Sequence, residues 1–167
     1  QNQEFSTIYF GGGTPSVLSI EECAGILQSV RGAFRIIHEP DITIEINPES
    51  ASAEKMVAYR EAGINRLSIG VQSLNDGELQ TLGRIHDAEK AHSFIADAKH
   101  AGFDNISVDL IFGIPGQSLD DWIKNVQAVV EMNIQHVSMY GLTYEAGTKF
   151  DHWRKSGKLT PATDSLE

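Results

Sequence analysis

The chain has 167 residues, 41% hydrophobic and 22% charged, a balance that suits one soluble globular domain with a real core. Its formal net charge of −10 argues against duplex nucleic acid as a main partner, because phosphate binding calls for a basic surface. The single cysteine excludes an internal disulfide or an all-cysteine metal site within this chain, and no apolar run is long enough to span a bilayer, so a reducing, cytoplasmic location is expected.

Sequence positions 7–16, TIYFGGGTPS, open the chain's organisation. Ile8, Tyr9 and Phe10 read as the end of a buried strand, since β-branched and aromatic side chains suit a pleated, packed surface. Gly11, Gly12 and Gly13 then allow positive φ and close approach of backbone to a ligand, and Pro15 stops the strand. A plain strand-to-helix turn is the rival reading; the spacing is neither a dinucleotide fingerprint nor a P-loop. Ser19 and Glu22 have capping-box spacing at the start of a helix over 19–33, whose apolar stripe includes Cys23 and Leu27. Residues 41–47, DITIEIN, alternate as a strand, and Pro48 ends it. Ser52 caps a helix carrying Ala53, Met56 and Val57.

An internal repeat follows. AGINRLS from Ala62 resembles AGFDNIS from Ala101 and, more weakly, MNIQHVS from Met132. Gly63, Gly102 and Asn133 fall where a helix ends in the left-handed conformation, and Ile64, Phe103 and Ile134 cover that end before the next strand. The three strands are predicted over 66–73, 106–113 and 136–140. Between them lie a short helix-like segment over 77–82, a helix over 88–100, and a helix capped by Ser118 with Trp122, Val126, Val129 and Val130 as its stripe. His86 and Glu89 read as parts of a helix start, and His92 and His100 as solvated; the six histidines form no metal constellation. Alternation of strand and helix argues for parallel strands with crossover helices.

Each of these strands keeps one polar face. A flat, doubly wound sheet has helices on both sides and apolar central strands. A polar face suits instead a curved sheet, a partial (β/α) barrel of about five parallel strands with helices on the convex side only. Ligand groups in such barrels gather at the carboxyl ends of the strands. Glu45, Gln72 and Asp109 lie in the carboxyl halves of their strands. Glu45 suits the vicinal hydroxyls of a ribose, or is an exposed strand residue. Gln72 suits a heterocycle edge, or ties adjacent strands. Asp109 is a site carboxylate, or forms a structural salt bridge, for example with Arg84. His136 and Tyr140 face the same hollow.

Six stretches in order carry a family resemblance: YFGGGTPS from Tyr9, IEINPE from Ile44, NRLSIGVQS from Asn65, LGRIHDAEKA from Leu82, DLIFGIPGQ from Asp109 and YGLTYEAGT from Tyr140. Together they resemble the radical S-adenosylmethionine (SAM) superfamily, in its oxygen-independent coproporphyrinogen III oxidase-like branch, with the last stretch closer to the haem-chaperone subgroup. The resemblance implies an incomplete TIM-like barrel over residues 1–150, with 151–167 as a C-terminal extension. It implies that Gly12, Gly13 and Thr14 hold the methionine end of S-adenosylmethionine, that Glu45 binds ribose, and that Gln72, Arg84 and Asp109 complete the contacts. In the family, a [4Fe-4S] cluster reduces S-adenosylmethionine to methionine and a 5′-deoxyadenosyl radical. Intact members act on a small-molecule substrate such as a porphyrinogen, or carry haem.

The cluster ligands of that family, three cysteines spaced C-x3-C-x2-C, are not in this sequence, and Cys23 cannot replace them. No catalytic residue and no metal ligand is therefore assigned, and this chain alone is expected to do no radical chemistry. The start at Gln1 and the terminal Leu166-Glu167, which reads as a tag scar, suggest a piece excised from a longer protein. The missing first strand of such a barrel would leave a sheet edge open to self-association. The rivals in function are a haem chaperone without oxidase activity and an unrelated phosphate-binding barrel using the glycine turn.

Overall fold

The computed structural model describes residues 3–159; the expected scar at Leu166-Glu167 lies outside them. Five strands, β1 (Glu4–Phe10), β2 (Arg35–Ile46), β3 (Arg66–Gln72), β4 (Ile106–Phe112) and β5 (His136–Gly141), form one sheet in sequential order. Every neighbouring pair is parallel. The helices are α1 (Ile20–Ala33), α2 (Ala53–Glu61), α3 (Asp76–Leu82), α4 (Ala88–His100), α5 (Leu119–Glu131) and α6 (Lys149–Lys155). Sequential parallel order with a helix in each crossover puts the helices on one side of the sheet, and the strands curl into a half-barrel, as the polar face implied. No helix among the described residues is long and apolar enough to cross a membrane.

The core lies between the sheet's convex face and the helices. Ile44, Leu67, Ile69, Val71, Ile106, Val108 and Leu110 are fully buried there against Leu27, Met56, Tyr59 and Phe94. Helix starts follow the sequence: both the Ser19–Glu22 and the Ser118–Asp121 capping boxes form. So do the repeat's helix ends, with Gly63, Gly102 and Asn133 at φ 99°, 89° and 51°. Ile64 and Phe103 donate their backbone N–H to Tyr59 O and Ala98 O, and both side chains are buried.

Three expectations change. Strand β2 begins at Arg35, not Asp41: Arg35 and Ile36 pair with Glu4 and Phe5 of β1, and the register irregularity between Phe5 and Thr7 takes up residues 37–40. Val130 is 67% exposed, because it lies about 100° round α5 from buried Val129. His86 is not a helix cap; Asp87 caps α4, and the His86 ring is buried.

Candidate functional site

At the carboxyl end of β1 the chain leaves the sheet through Gly12 and Gly13, both left-handed at φ 87° and 61°, a conformation that a β-carbon would strain. Glu45, from the neighbouring strand β2, fastens this corner. Its Oε2 accepts the Gly12 N–H at 3.0 Å and its Oε1 accepts the Tyr9 hydroxyl at 2.9 Å. Burial and the nearby carboxylate push the Tyr9 hydroxyl up from its ordinary value, so it stays a donor.

The next turn is tied to the same corner. Ser50 Oγ donates to Asn47 O at 2.8 Å and accepts the Asn47 N–H at 3.0 Å. Its one proton being spent, the 2.6 Å contact with Ser16 must be a bond donated by the Ser16 hydroxyl. Ser16 itself is fully buried, and its carbonyl accepts from Lys55 Nζ at 2.6 Å and the Tyr59 hydroxyl at 3.1 Å, the latter pushed up to about 12 by burial. Hydrogen bonds thus tie the glycine corner to the end of β2.

Strand β3 ends in strain. Gln72 is a non-glycine residue at φ 68°, and Ser73 donates its N–H to Val71 O at 2.9 Å, closing a three-residue γ-turn around it. Such a conformation costs of order 1–3 kcal/mol and clusters at functional sites. Gly70 completes the arrangement: a β-carbon there would come within 2.5 Å of Asn47 Oδ1 and 2.7 Å of Gln72 Nε2.

Arg84 follows α3, whose last turn closes on left-handed Gly83. Asp109, on β4, accepts from the Ser68 hydroxyl at 3.4 Å to each oxygen. No ion pair joins Asp109 to Arg84 among the described residues, so the structural salt bridge is not what holds either side chain. Burial raises the Asp109 carboxyl above its ordinary 3.8, bonds from Ser138 and Ser68 pull it partly back, and the Glu45 charge adds to the rise.

The native state therefore holds that proton more tightly than the unfolded chain. Stability falls as pH rises from 3.8 through the raised value, and the penalty is complete above it. Asp109→Asn is expected to raise the thermal unfolding midpoint at neutral pH, with the advantage shrinking as pH falls toward 3.8. A pH-independent advantage in parallel melts would contradict this.

These residues meet. Gly13, Thr14, Glu45, Gln72, Arg84 and Asp109 line one cleft of about 310 Å³, and Gly12 stands behind it through its bond to Glu45. Asn47, Ser68 and Gly70 share the cleft without having been singled out, although the strand alternation had placed all three on the same face. Tyr140 lines it; His136 does not, and its Nδ1 lies 2.8 Å from Ser107 Oγ. No group of three or more potential metal ligands occurs among the described residues.

A family model described as the radical SAM superfamily matches residues 1–129. The chain belongs to the radical SAM superfamily. It is 41% identical over 158 residues to the bovine mitochondrial radical S-adenosyl methionine domain-containing protein 1, covering 95% of this chain and 36% of that protein. It is 39% identical over 150 residues to the Escherichia coli heme chaperone HemW, covering 90% of this chain and 40% of the chaperone. Among solved structures, E. coli coproporphyrinogen III oxidase (HemN), described as a radical SAM enzyme, superposes with a TM-score of 0.82 at 26% identity, over 98% of this chain and 38% of the oxidase. The radical SAM chain thus spans about two fifths of such relatives' length.

The family implies S-adenosylmethionine and a [4Fe-4S] cluster in intact members. The residues of this chain do not fit the cluster: the lone cysteine, Cys23, is fully buried on α1 with its thiol raised by burial. The cleft instead has the make-up of a polar small-ligand site: two carboxylates, a guanidinium, two amides and a glycine corner converge on a volume within the size range of such sites.

Proposed function

We propose that the cleft binds S-adenosylmethionine and that the chain is the cofactor-binding core of a radical SAM protein of haem and porphyrin metabolism. One observation carries the reading: six residues drawn from four strand ends and the Arg84 loop line a single cleft. In this reading Glu45 accepts from the ribose hydroxyls and Arg84 donates to the methionine carboxylate. The glycine corner leaves room for the methionine end, and Asp109 and Gln72 offer acceptors and a donor to the remaining polar groups. This chain's residues would bind and orient the sulfonium nucleoside; a cluster, where an intact protein holds one, would supply reducing chemistry.

Calorimetric titration with S-adenosylhomocysteine is expected to give saturable binding, and titration with ribose 5-phosphate none. The reverse pattern would favour a phosphate-binding barrel and overturn the reading.

Of the two activities among its relatives, haem delivery is the one we favour, because 39% identity to the chaperone runs over 90% of the chain, against 26% to the oxidase. The partner is then haem or a porphyrin, and the location cytoplasmic. Haem titration of the full-length protein, beside a coproporphyrinogen oxidation assay, separates them: binding without oxidation is expected, and oxidation would assign the oxidase role.

Gly70→Ala tests the cleft without replacing any group proposed to touch the ligand. Its β-carbon must push aside the tips of Asn47 and Gln72, both flexible side-chain ends, while alanine favours the strand over glycine. Affinity for S-adenosylhomocysteine is expected to fall about tenfold, the worth of one or two hydrogen bonds, with little change in unfolding midpoint.

A further inference from the structure

His86 has no place in the cleft, yet its ring is fully buried between two strand ends that do. Nδ1 lies 2.8 Å from Glu49 Oε2, in the turn after β2, and Nε2 lies 3.1 Å from Val71 O, at the end of β3. A carbonyl only accepts, so Nε2 carries a proton, and Nδ1 shares one with the Glu49 carboxyl. The Val71 carbonyl is the one that closes the γ-turn around Gln72. Glu49 lies two residues beyond Asn47, another wall of the cleft. His86 therefore reaches both walls from the segment that carries Arg84.

That segment has little else to hold it. Between Gly83 and Asp87, Ile85 is 87% exposed, Arg84 is half-buried, and His86 is the buried side chain. The flanking bonds sit at the segment's two ends, Arg84 N–H to Leu79 O and Ala88 N–H to Asp76 Oδ1. The ring is the tie across its middle.

We propose that His86, with Glu49, is a positioning residue that fixes the Arg84 loop to the ends of β2 and β3 and so aims Arg84 into the cleft. Its role in ligand binding rests on the reading that the cleft takes S-adenosylmethionine; its hold on the loop does not. His86 touches no ligand in this arrangement. It acts through Arg84.

Two measurements test it. In the ligand-free chain, hydrogen exchange at residues 84–86 is expected to rise about tenfold in His86→Ala, while the buried stretch of α4 around Phe94 keeps its protection; such selective loosening marks a local tie rather than global support. Equal exchange in the loop, or loss of protection throughout α4, would overturn the proposal. In calorimetry with S-adenosylhomocysteine, Arg84→Ala is expected to lose about tenfold in affinity, the worth of a charge-assisted bond. His86→Ala should lose nearly as much. The double variant should lose no more than Arg84→Ala alone, because the histidine works through the arginine. Glu49→Gln, whose amide N–H can donate to the unprotonated Nδ1, should retain affinity within about twofold, whereas Glu49→Ala should behave like His86→Ala. Multiplying losses in the double variant would overturn the positioning role. A wild type that binds no S-adenosylhomocysteine, with the exchange result intact, would overturn the reading of the cleft and leave the loop tie standing.

Discussion

Glu45→Ala is expected to lower affinity for S-adenosylhomocysteine about a hundredfold, the loss of two charge-assisted hydrogen bonds to sugar hydroxyls. The side chain also releases two groups of the protein itself. Without it the Gly12 N–H and the Tyr9 hydroxyl lose their acceptor, and the corner of glycines is free to move. A ligand control separates the two effects. A 2′,3′-dideoxy adenosine analogue makes no use of the carboxylate, so wild type and variant should differ little toward it if ribose binding dominates. They should differ as much as with the parent nucleoside if corner geometry dominates. Equal affinity of wild type and Glu45→Ala for S-adenosylhomocysteine would remove Glu45 from the site.

Glu78→Ala is expected to destabilise the fold by about 3 kcal/mol or more, since removing the acceptor of a buried polar network leaves its donors unpaired. Glu78 is only 6% exposed, and its Oε2 gathers three donors: Ser73 Oγ at 2.5 Å, Gln117 Nε2 at 3.0 Å and Asn125 Nδ2 at 3.0 Å. Those groups come from the loop after β3, the turn after β4 and helix α5. Asn125 Oδ1 in turn accepts the Leu74 N–H, and Gln117 Oε1 the Gly113 N–H. One carboxylate therefore ties together the turns that end two adjacent strands. Its second oxygen, Oε1, is buried without a partner among the described residues. Glu78→Gln keeps one acceptor oxygen for the cluster and should cost less. For a chain of this size, about 3 kcal/mol corresponds to a drop of roughly 6–12 °C in unfolding midpoint. A melt within one or two degrees of wild type would show that the network does not hold the fold.

Much of this was legible from residues alone, because the signals were local. Alternation in DITIEIN places Glu45 and Asn47 on one face, and the capping boxes are written in residues three apart. The left-handed helix ends are written in Gly63, Gly102 and Asn133. What stayed hidden depends on partners distant in sequence. Residues 35–40 carry no strand pattern of their own, and the strand starts early because Glu4 and Phe5 of β1 pair with Arg35 and Ile36. Histidine followed by aspartate reads as a helix start until Glu49, far back in the chain, supplies the partner of His86. The positive φ of Gln72 is held by tertiary contacts, since glutamine has no preference for that conformation. Glu78 looks like an ordinary acidic residue in the first turn of α3 until Gln117 and Asn125 arrive. The residues that line the cleft were reached through motif and face together; their supports required the fold.

The claim beneath all of this is that a nucleoside sulfonium sits at the carboxyl ends of these strands. Amide chemical-shift mapping during titration with S-adenosylhomocysteine addresses it residue by residue. The expected result is saturable shifts at Gly12, Gly13, Gly70, Gln72 and Arg84, abolished in Glu45→Ala. Shifts gathered instead at the opposite end of the sheet, around Ile42, Asn65 and Asn105, or no shifts at saturating ligand, would contradict it.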